Sequence, residues 1–507
     1  MRKSFNVLNE PWIPVVTLDG SRKMLGIRET LKQAPELREI SIVDPTEEFS
    51  VYRFLSVILM DALRPMTTSD LHDISVRQVF DQDRLDAYYS LCEAKGITFD
   101  IFDKERPFMQ PAYSKLWDNP PESATRMDYT FPSGNNHVHF EHRNPDTVSY
   151  TFGEAFSKML ACHCFMPQGG SGYSPGINGA PPYYCLISGA NLFQTLCTLL
   201  VPLEDYMPNV APCPAISNME GIEPKKPRGE VNEETGEVDT IDFFQAMLFP
   251  CRRIILLPDA ESDTVSKIHF ARGFKYAGGE SWVDPNVSYR WSAPDKDGNR
   301  KRFTVKPDLD VSAWRNFAEM IREEGRPAVL NRYMESDPTW TNASITLYGM
   351  QTDQSKCCNL LRCNLEIPRS ILASEYKADF LKECLTYSEG LSRRLEYALR
   401  VAIQGEKPDS TAKEAKKANA QVKTAVHLFF SECEPLFFEM VEDACSLKKD
   451  DSEEVLKQWK KKSFAVAKKV FNSAAGNIHA SGRVLRQIAA GQRILFCLNR
   501  QESKKEE

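Results

Sequence analysis

Leu391-Ser-Arg-Arg-Leu395-Glu-Tyr-Ala398-Leu-Arg-Val-Ala402 sets its apolar residues at successive spacings of four, three and four. That is the period of an amphipathic helix with one face against a core. Val484, Ile488, Gly491, Leu495 and Leu498 repeat the pattern, and residues 411–434 and 453–473 fit it as well. Breakers at Gly405–Pro408 and at Gly476 separate the helices. Four long amphipathic helices with short connections predict an antiparallel four-helix bundle over residues 366–507.

Upstream the texture differs. Short extended runs (Asn6–Leu8, Trp12–Thr17, Ile97–Phe102, Arg252–Leu257) alternate with helical stretches such as Phe49–Leu63 and Phe152–Cys164. Residues 1–365 therefore read as a large mixed α/β domain, and the whole chain as α+β. Glu223–Asp239 is polar and rich in breakers, so it is predicted to be an exposed loop.

The 507 residues are 42% hydrophobic, enough for a large core. No apolar run is long enough to span a bilayer, and the first residues lack the apolar core of a secretory signal. The fourteen cysteines are scattered, with Cys185, Cys197, Cys384 and Cys497 in apolar contexts, as buried thiols are. A reducing cytoplasm is the expected compartment. The net charge of −7 argues against an indiscriminate nucleic-acid binder. It is uneven, however: residues 366–507 carry 25 basic and 21 acidic side chains, the rest 38 and 49. Local basic patches remain available for phosphate contacts.

The segment Pro167-Gln-Gly-Gly-Ser-Gly-Tyr-Ser-Pro-Gly-Ile-Asn-Gly-Ala-Pro-Pro182 places five glycines among four prolines between two long apolar runs. It cannot be a helix or a central strand. It reads as a shaped loop whose bare backbone lies close to a ligand, or else as a large surface loop. Ala343-Ser-Ile-Thr-Leu-Tyr-Gly349-Met-Gln-Thr-Asp-Gln354-Ser-Lys356 has an alternating arm and a polar tip, Gly349–Lys356, and predicts a β-hairpin finger. Gly273-Phe-Lys275 sets a lysine among aromatic residues and glycines. Tyr129-Thr-Phe131-Pro-Ser-Gly134-Asn135-Asn136 is a further Gly/Asn loop with an aromatic lead. Together these loops suggest a reader of duplex DNA.

Catalytic signatures are missing from the sequence: no phosphate-binding glycine loop with Lys, no nucleophile elbow, no His-Glu-x-x-His and no Cys-x-x-Cys. His137, His139, His142 and Cys162-His163-Cys164 are conceivable metal ligands. Their spacing fits local structure better, and neither a metal nor another cofactor is expected.

The order of these segments resembles a known family. Leu8-Asn-Glu-Pro-Trp12-Ile-Pro-Val15 is similar to the opening of the large subunit of the type I-E CRISPR surveillance complex Cascade, the CasA family. Arg106-Pro-Phe-Met-Gln110 resembles that family's His-Pro-Phe-Met-Gln element. The Gly/Asn loop, glycine-rich loop, Gly273-Phe-Lys275, hairpin and bundle then follow in the family's order, over nearly the whole chain.

The resemblance implies a non-catalytic subunit of a crRNA ribonucleoprotein. In that family the subunit reads the protospacer-adjacent motif (PAM) of double-stranded target DNA through the minor groove, starts strand separation and recruits a helicase-nuclease. Its other partners are the backbone, small and 5′-handle-binding subunits. Position by position, Gly169, Gly170, Ser171 and Gly172 match the minor-groove loop. Lys275 matches the lysine finger, and Gln354 the wedge, with Asp353 beside it. Phe131, Asn135 and Asn136 fall in the loop that meets crRNA and neighbouring subunits. Lys460, Lys461, Lys468, Arg486 and Arg493 are candidates for the displaced non-target strand, within a basic run that includes Lys457, Lys462 and Lys469. Paired zinc-binding cysteines found in some members are absent here, and an acid, Asp353, stands where an amide is expected. The competing readings are a metal-dependent nuclease and a purely structural scaffold.

Overall fold

The computed structural model describes residues 3–111, 120–132, 143–167, 173–206, 237–238, 241–278, 282–308, 311–335, 342–353, 356–405, 413–476 and 482–496. The chain forms two compact units: Met1–Leu309 with Glu324–Ile367, and Asp310–Glu323 with Pro368–Glu507.

The first unit mixes helices and small sheets. Strand β1 (Ile13–Thr17) lies between β2 (Arg22–Leu25) and β3 (Leu37–Ile40), antiparallel to both. Helix α1 (Pro45–Leu63) starts where Asp44 accepts hydrogen bonds from the Thr46 and Glu47 amides and Pro45 presets φ. Helix α2 (Phe152–Phe165) starts on a capping box of Thr151 and Glu154. Both helices are buried nearly all round, including the charged Glu47, Glu48, Arg53 and Lys158. They meet at Phe54 and Phe156, whose rings cross edge-to-face at 5.7 Å.

Two hairpins flank this pair. In one, β5 (Arg252–Pro258) runs against β6 (Thr264–Arg272) from Arg252 opposite Arg272 onward. In the other, β8 (Asn342–Asp353) pairs with β9 (Lys356–Pro368) on one edge and with β4 (Tyr184–Ser188) on the other. The β4–β8 register runs from Ser344 opposite Ser188 to Tyr348 opposite Tyr184. Between the hairpins in sequence, β7 (Lys275–Tyr276) pairs in parallel with Glu237–Val238.

Three local expectations change. Asn6–Leu8 and Ile97–Phe102 are not strands; they meet at the single bridge Asn6–Asp100, because Phe99 adopts a left-handed φ of 54° that ends any extended run. Gly349 belongs to β8 rather than to the finger's tip, since the strand continues to Asp353. The Arg106–Gln110 motif is an internal brace: buried Gln110 donates to the Ile101 carbonyl at 2.6 Å and accepts from the Leu256 amide at 2.8 Å.

The second unit contains the helices anticipated from periodicity: α3 (Glu375–Gln404), α4 (Lys413–Cys445), α5 (Ser452–Gly476) and α6 (Gly482–Phe496). Contacts of Arg400 with Asn419 and of Lys377 with the Cys445 carbonyl set α3 and α4 antiparallel. Lys462–Glu439 and Lys469–Glu432 do the same for α5 and α4. Gly491 lets α6 approach α3 closely; a Cβ there would stand 2.5 Å from the Ala398 carbonyl. Helix α4 runs through Pro435 instead of stopping near 434. Phe429, Phe430 and Phe437 are buried around that proline, and their packing offsets the lost backbone bond. The same unit takes in Asp310–Glu323, where Trp314 and Phe317 pack on Phe437 with ring centroids 5.0 and 5.5 Å away. This short aromatic segment has no periodicity to announce that it belongs with the bundle.

Candidate nucleic-acid interface

The glycine-rich segment is described at its two ends. Gly169, Gly170, Ser171 and Gly172 lie outside the described residues, as do Asn135, Asn136 and Gln354. Downstream, Asn178 donates to the Asp284 carboxylate at 2.8 Å and to the Tyr184 hydroxyl at 3.2 Å, and accepts from the Trp282 indole at 3.1 Å. Asp284 is itself paired with Arg53 of α1 through two parallel bonds of 3.0 and 2.7 Å, both side chains fully buried. A bidentate pair without water is stiff and directional. The limb from Tyr173 to Pro182 is thereby tied to a helix that is buried nearly all round.

At the upstream end, Arg252 donates to the Pro167 carbonyl at 3.3 Å and to the Ser174 carbonyl at 2.6 Å. Its guanidinium also lies 4.8 Å over the Tyr173 ring. Arg252 is only 2% exposed. It was not singled out from the sequence, although a signal was present: alternation along Arg252, Ile254 and Leu256 puts this arginine on the buried face of β5.

Lys275 leaves the same end of the β5–β6 hairpin. Gly273 donates to the Cys251 carbonyl at 3.1 Å and Phe274 to the Pro250 carbonyl at 3.0 Å. A Cβ on Gly273 would stand 2.1 Å from the Pro250 oxygen, so only glycine permits this approach. Phe274 is buried and anchors the turn, under the Arg253 guanidinium at 5.2 Å, while Lys275 is exposed.

The finger is fixed at its base. Tyr348 of β8 donates to Glu48 of α1 at 3.0 Å, and Arg362 of β9 reaches the other Glu48 oxygen at 3.4 Å. Burial pushes the Glu48 carboxyl up to about 7, against the opposing pull of Arg362 and the tyrosine hydrogen bond. Gln351 donates to the Asp308 carbonyl at 2.7 Å, and Asp353, exposed, is the last described residue before the tip.

Phe131 is placed differently from an exposed contact residue. It is 4% exposed and packs beneath Arg143, 5.8 Å from its ring. Asp128 accepts from the Thr130 amide and pairs with Lys158 of α2 at 2.9 Å; Lys158 also pairs with Glu47 at 2.7 Å. Phe131 therefore anchors the base of the segment that contains Asn135 and Asn136, and does not offer its own ring as a surface.

The lysines of α5 divide between two faces. Lys462 and Lys469 pair with Glu439 and Glu432 of α4 at 3.4 and 2.8 Å. Lys460 stacks on Tyr387 at 5.7 Å and Lys468 on Phe496 at 5.7 Å. Lys457, Lys461 and Lys468 share a helical face, and Phe464, three residues after Lys461 and four before Lys468, packs against Phe496 of α6 at 5.7 Å. On α6, Arg486 and Arg493 are exposed at i, i+7 spacing. Among the described residues no carboxylate pairs with Lys457, Lys461 or Arg486.

The ligands required by the metal-nuclease alternative are not assembled among the described residues, where no three His, Cys, Asp or Glu side chains converge. His137, His139 and His142 lie outside them. His163 is wholly buried in α2, near the Phe249 backbone but without a hydrogen bond of ordinary geometry, and burial lowers it to about 4. Cys162 is raised to about 12 by burial and is unreactive. No described helix is long and apolar enough to cross a membrane.

The family model of CRISPR-associated protein Cse1 matches residues 6–470. The chain belongs to the Cse1 family. A curated relative, the CRISPR-associated protein CasA/Cse1 of Thermus thermophilus, is 28% identical over 418 residues, covering 78% of this chain and 77% of that protein. The solved structure of Thermus thermophilus CasA (Cse1) superposes with a TM-score of 0.73 at 23% identity, over 98% of both chains. Thermobifida fusca Cse1 gives 0.71 at 21% identity, over 97% of this chain and 98% of that one. A chain of a CRISPR RNA-guided surveillance complex gives 0.75 at 18% identity, over 97% and 99%. The α+β fold with a C-terminal helical unit is therefore the Cse1 fold.

Proposed function

We propose that this Cse1-family chain is the large subunit of a crRNA-guided surveillance complex and acts by binding, not catalysis. It reads the PAM of double-stranded target DNA with the glycine-rich loop and Lys275. It opens the first pair with Gln354, beside Asp353, and its helical unit holds the displaced strand along Lys460, Lys461, Lys468, Arg486 and Arg493. The segment around Asn135 and Asn136, anchored by Phe131, meets crRNA and neighbouring subunits, and the assembled complex recruits a helicase-nuclease. The cytoplasm, where crRNA is held, is the matching compartment.

The observation that carries this reading is structural continuity between the loop and the finger. The limb from Tyr173 to Pro182 runs into β4, and β4 pairs directly with β8, which leads to the finger's tip. A reader and a wedge that act on adjacent base steps need such a rigid connection, because unstacking a step costs a few kcal/mol. The division of labour, protein for the short motif and guide RNA for the long sequence, is that of RNA-guided recognition.

The deciding experiment is binding of the reconstituted guide-RNA complex, with and without this chain, to target duplexes with a randomised PAM. PAM-dependent affinity that requires the chain and is lost on Gly170 or Gln354 substitution is the expected result. PAM dependence that persists without the chain would leave it a scaffold.

A further inference from the structure

Arg252 is buried at the root of the glycine-rich loop, and among the described residues no carboxylate pairs with it. Its hydrogen-bond partners are three backbone carbonyls: Pro167, Ser174 and its own neighbour Cys251. Burying a guanidinium costs several kcal/mol unless its donors are satisfied. A planar fork holds two separate carbonyls in fixed directions while its face lies over Tyr173; an ammonium is a point charge without that fixed geometry. Two points of the chain seven positions apart are thus held within the span of a single side chain.

The same backbone links this site to the lysine arm. Arg252 stands opposite Arg272 in the β5–β6 ladder, and the preceding residue, Cys251, accepts the Gly273 amide. Any shift of Arg252 therefore moves the loop's stems and the origin of Lys275 together.

We propose that Arg252 is the positioning residue that sets sequence preference in DNA recognition: it fixes the glycine-rich loop and the Lys275 arm in one register. This rests on the reading of the loop as the PAM reader. Arg252 touches no DNA itself; it acts through the backbone of Pro167 and Ser174.

The test uses the complete guide-RNA complex carrying Arg252→Lys or Arg252→Gln. Two target sets are compared: duplexes with preferred and non-preferred PAMs, and a pre-opened bubble that needs no PAM reading. Both variants are expected to bind the bubble within about twofold of wild type. The affinity gap between preferred and non-preferred duplexes is expected to shrink about tenfold, or 1.4 kcal/mol, and the lysine is not expected to restore it. A role in folding alone would lower bubble and duplex binding together and leave the gap intact, and that result overturns the proposal. If both variants fail to assemble, Tyr173→Ala, at a half-exposed position, carries the test, and an unchanged gap again overturns it. Absence of a gap in the wild-type complex would instead refute the PAM-reading function, and the role of Arg252 with it.

Discussion

The hydroxyl of Tyr348 donates to the carboxyl of Glu48 at 3.0 Å, joining the central strand of the finger sheet to the buried helix α1. Both residues are 1% exposed. The finger is thus held at its base by an acid whose desolvation outweighs its partners. Such a carboxyl, raised from 4.5 to about 7, favours the folded state most when it is protonated. Its contribution is fully present below pH 4.5 and is lost as pH rises through about 7. The expected result is a thermal midpoint that falls between pH 5 and pH 8.5, by at most about 3 kcal/mol of stability. In Glu48→Gln, which keeps an acceptor for Tyr348, this fall should become shallower, the remainder coming from Glu47, whose carboxyl burial also raises to about 7. Equal pH slopes in the two proteins would show that Glu48 titrates normally.

Gly273→Ala puts a methyl 2.1 Å from the Pro250 oxygen, which is backbone and cannot swing aside. The arm bearing Lys275 must then move. Target-duplex affinity of the assembled complex should fall at least as far as in Lys275→Ala, about tenfold, with guide-RNA assembly preserved in both. Electrophoretic mobility shift with labelled duplex measures it; full affinity in Gly273→Ala would detach the arm from DNA binding.

The two lysine faces of α5 should separate on mutation. Lys461→Glu with Lys468→Glu is expected to weaken retention of the displaced strand several-fold, more at low salt than at high. Its effect on the thermal midpoint should be small. Lys462→Ala with Lys469→Ala removes pairs to Glu439 and Glu432, so it should lower the midpoint slightly and leave strand retention alone. Nuclease protection of the non-target strand distinguishes them, and identical protection in both doubles would remove the basic face from the strand's path.

Gln354→Ala should slow opening of an intact duplex about 10- to 100-fold while binding to a pre-opened target stays within about twofold. A fluorescent base analogue in the first pair reports opening. Equal loss on both substrates would mean that the finger binds but does not wedge.

The helical unit was legible because an amphipathic period survives in sequence whatever the helices pack against. The finger was legible from the alternation of Ile345 and Leu347. What escaped was the aromatic segment around Trp314 and Phe317, whose place depends on Phe437, more than a hundred residues away. Glycine and proline content announced an irregular run from Tyr173 to Pro182, but not the side chains that fix it. Arg252, Asp284 and Glu48 are charged residues, and composition assigns those to solvent. Only the alternation along β5 hinted that one of them points inward. Phe131, assigned with Asn135 and Asn136 to one loop, is itself buried beneath Arg143, a placement that an aromatic residue beside a polar loop does not announce.

The pairing of Tyr184 with Tyr348 gives the β4–β8 ladder a meaning in the units of DNA. One residue of slip between these strands would carry the finger's tip about 3.4 Å along its axis. Successive phosphates on one DNA strand are spaced at the same interval along the duplex axis. Side chains of β4 and β8 are buried on both faces, so the ladder cannot slip without repacking both, and it is therefore a fixed gauge. Under the proposed function, it sets how many base steps separate the place where the duplex is read from the place where it is split.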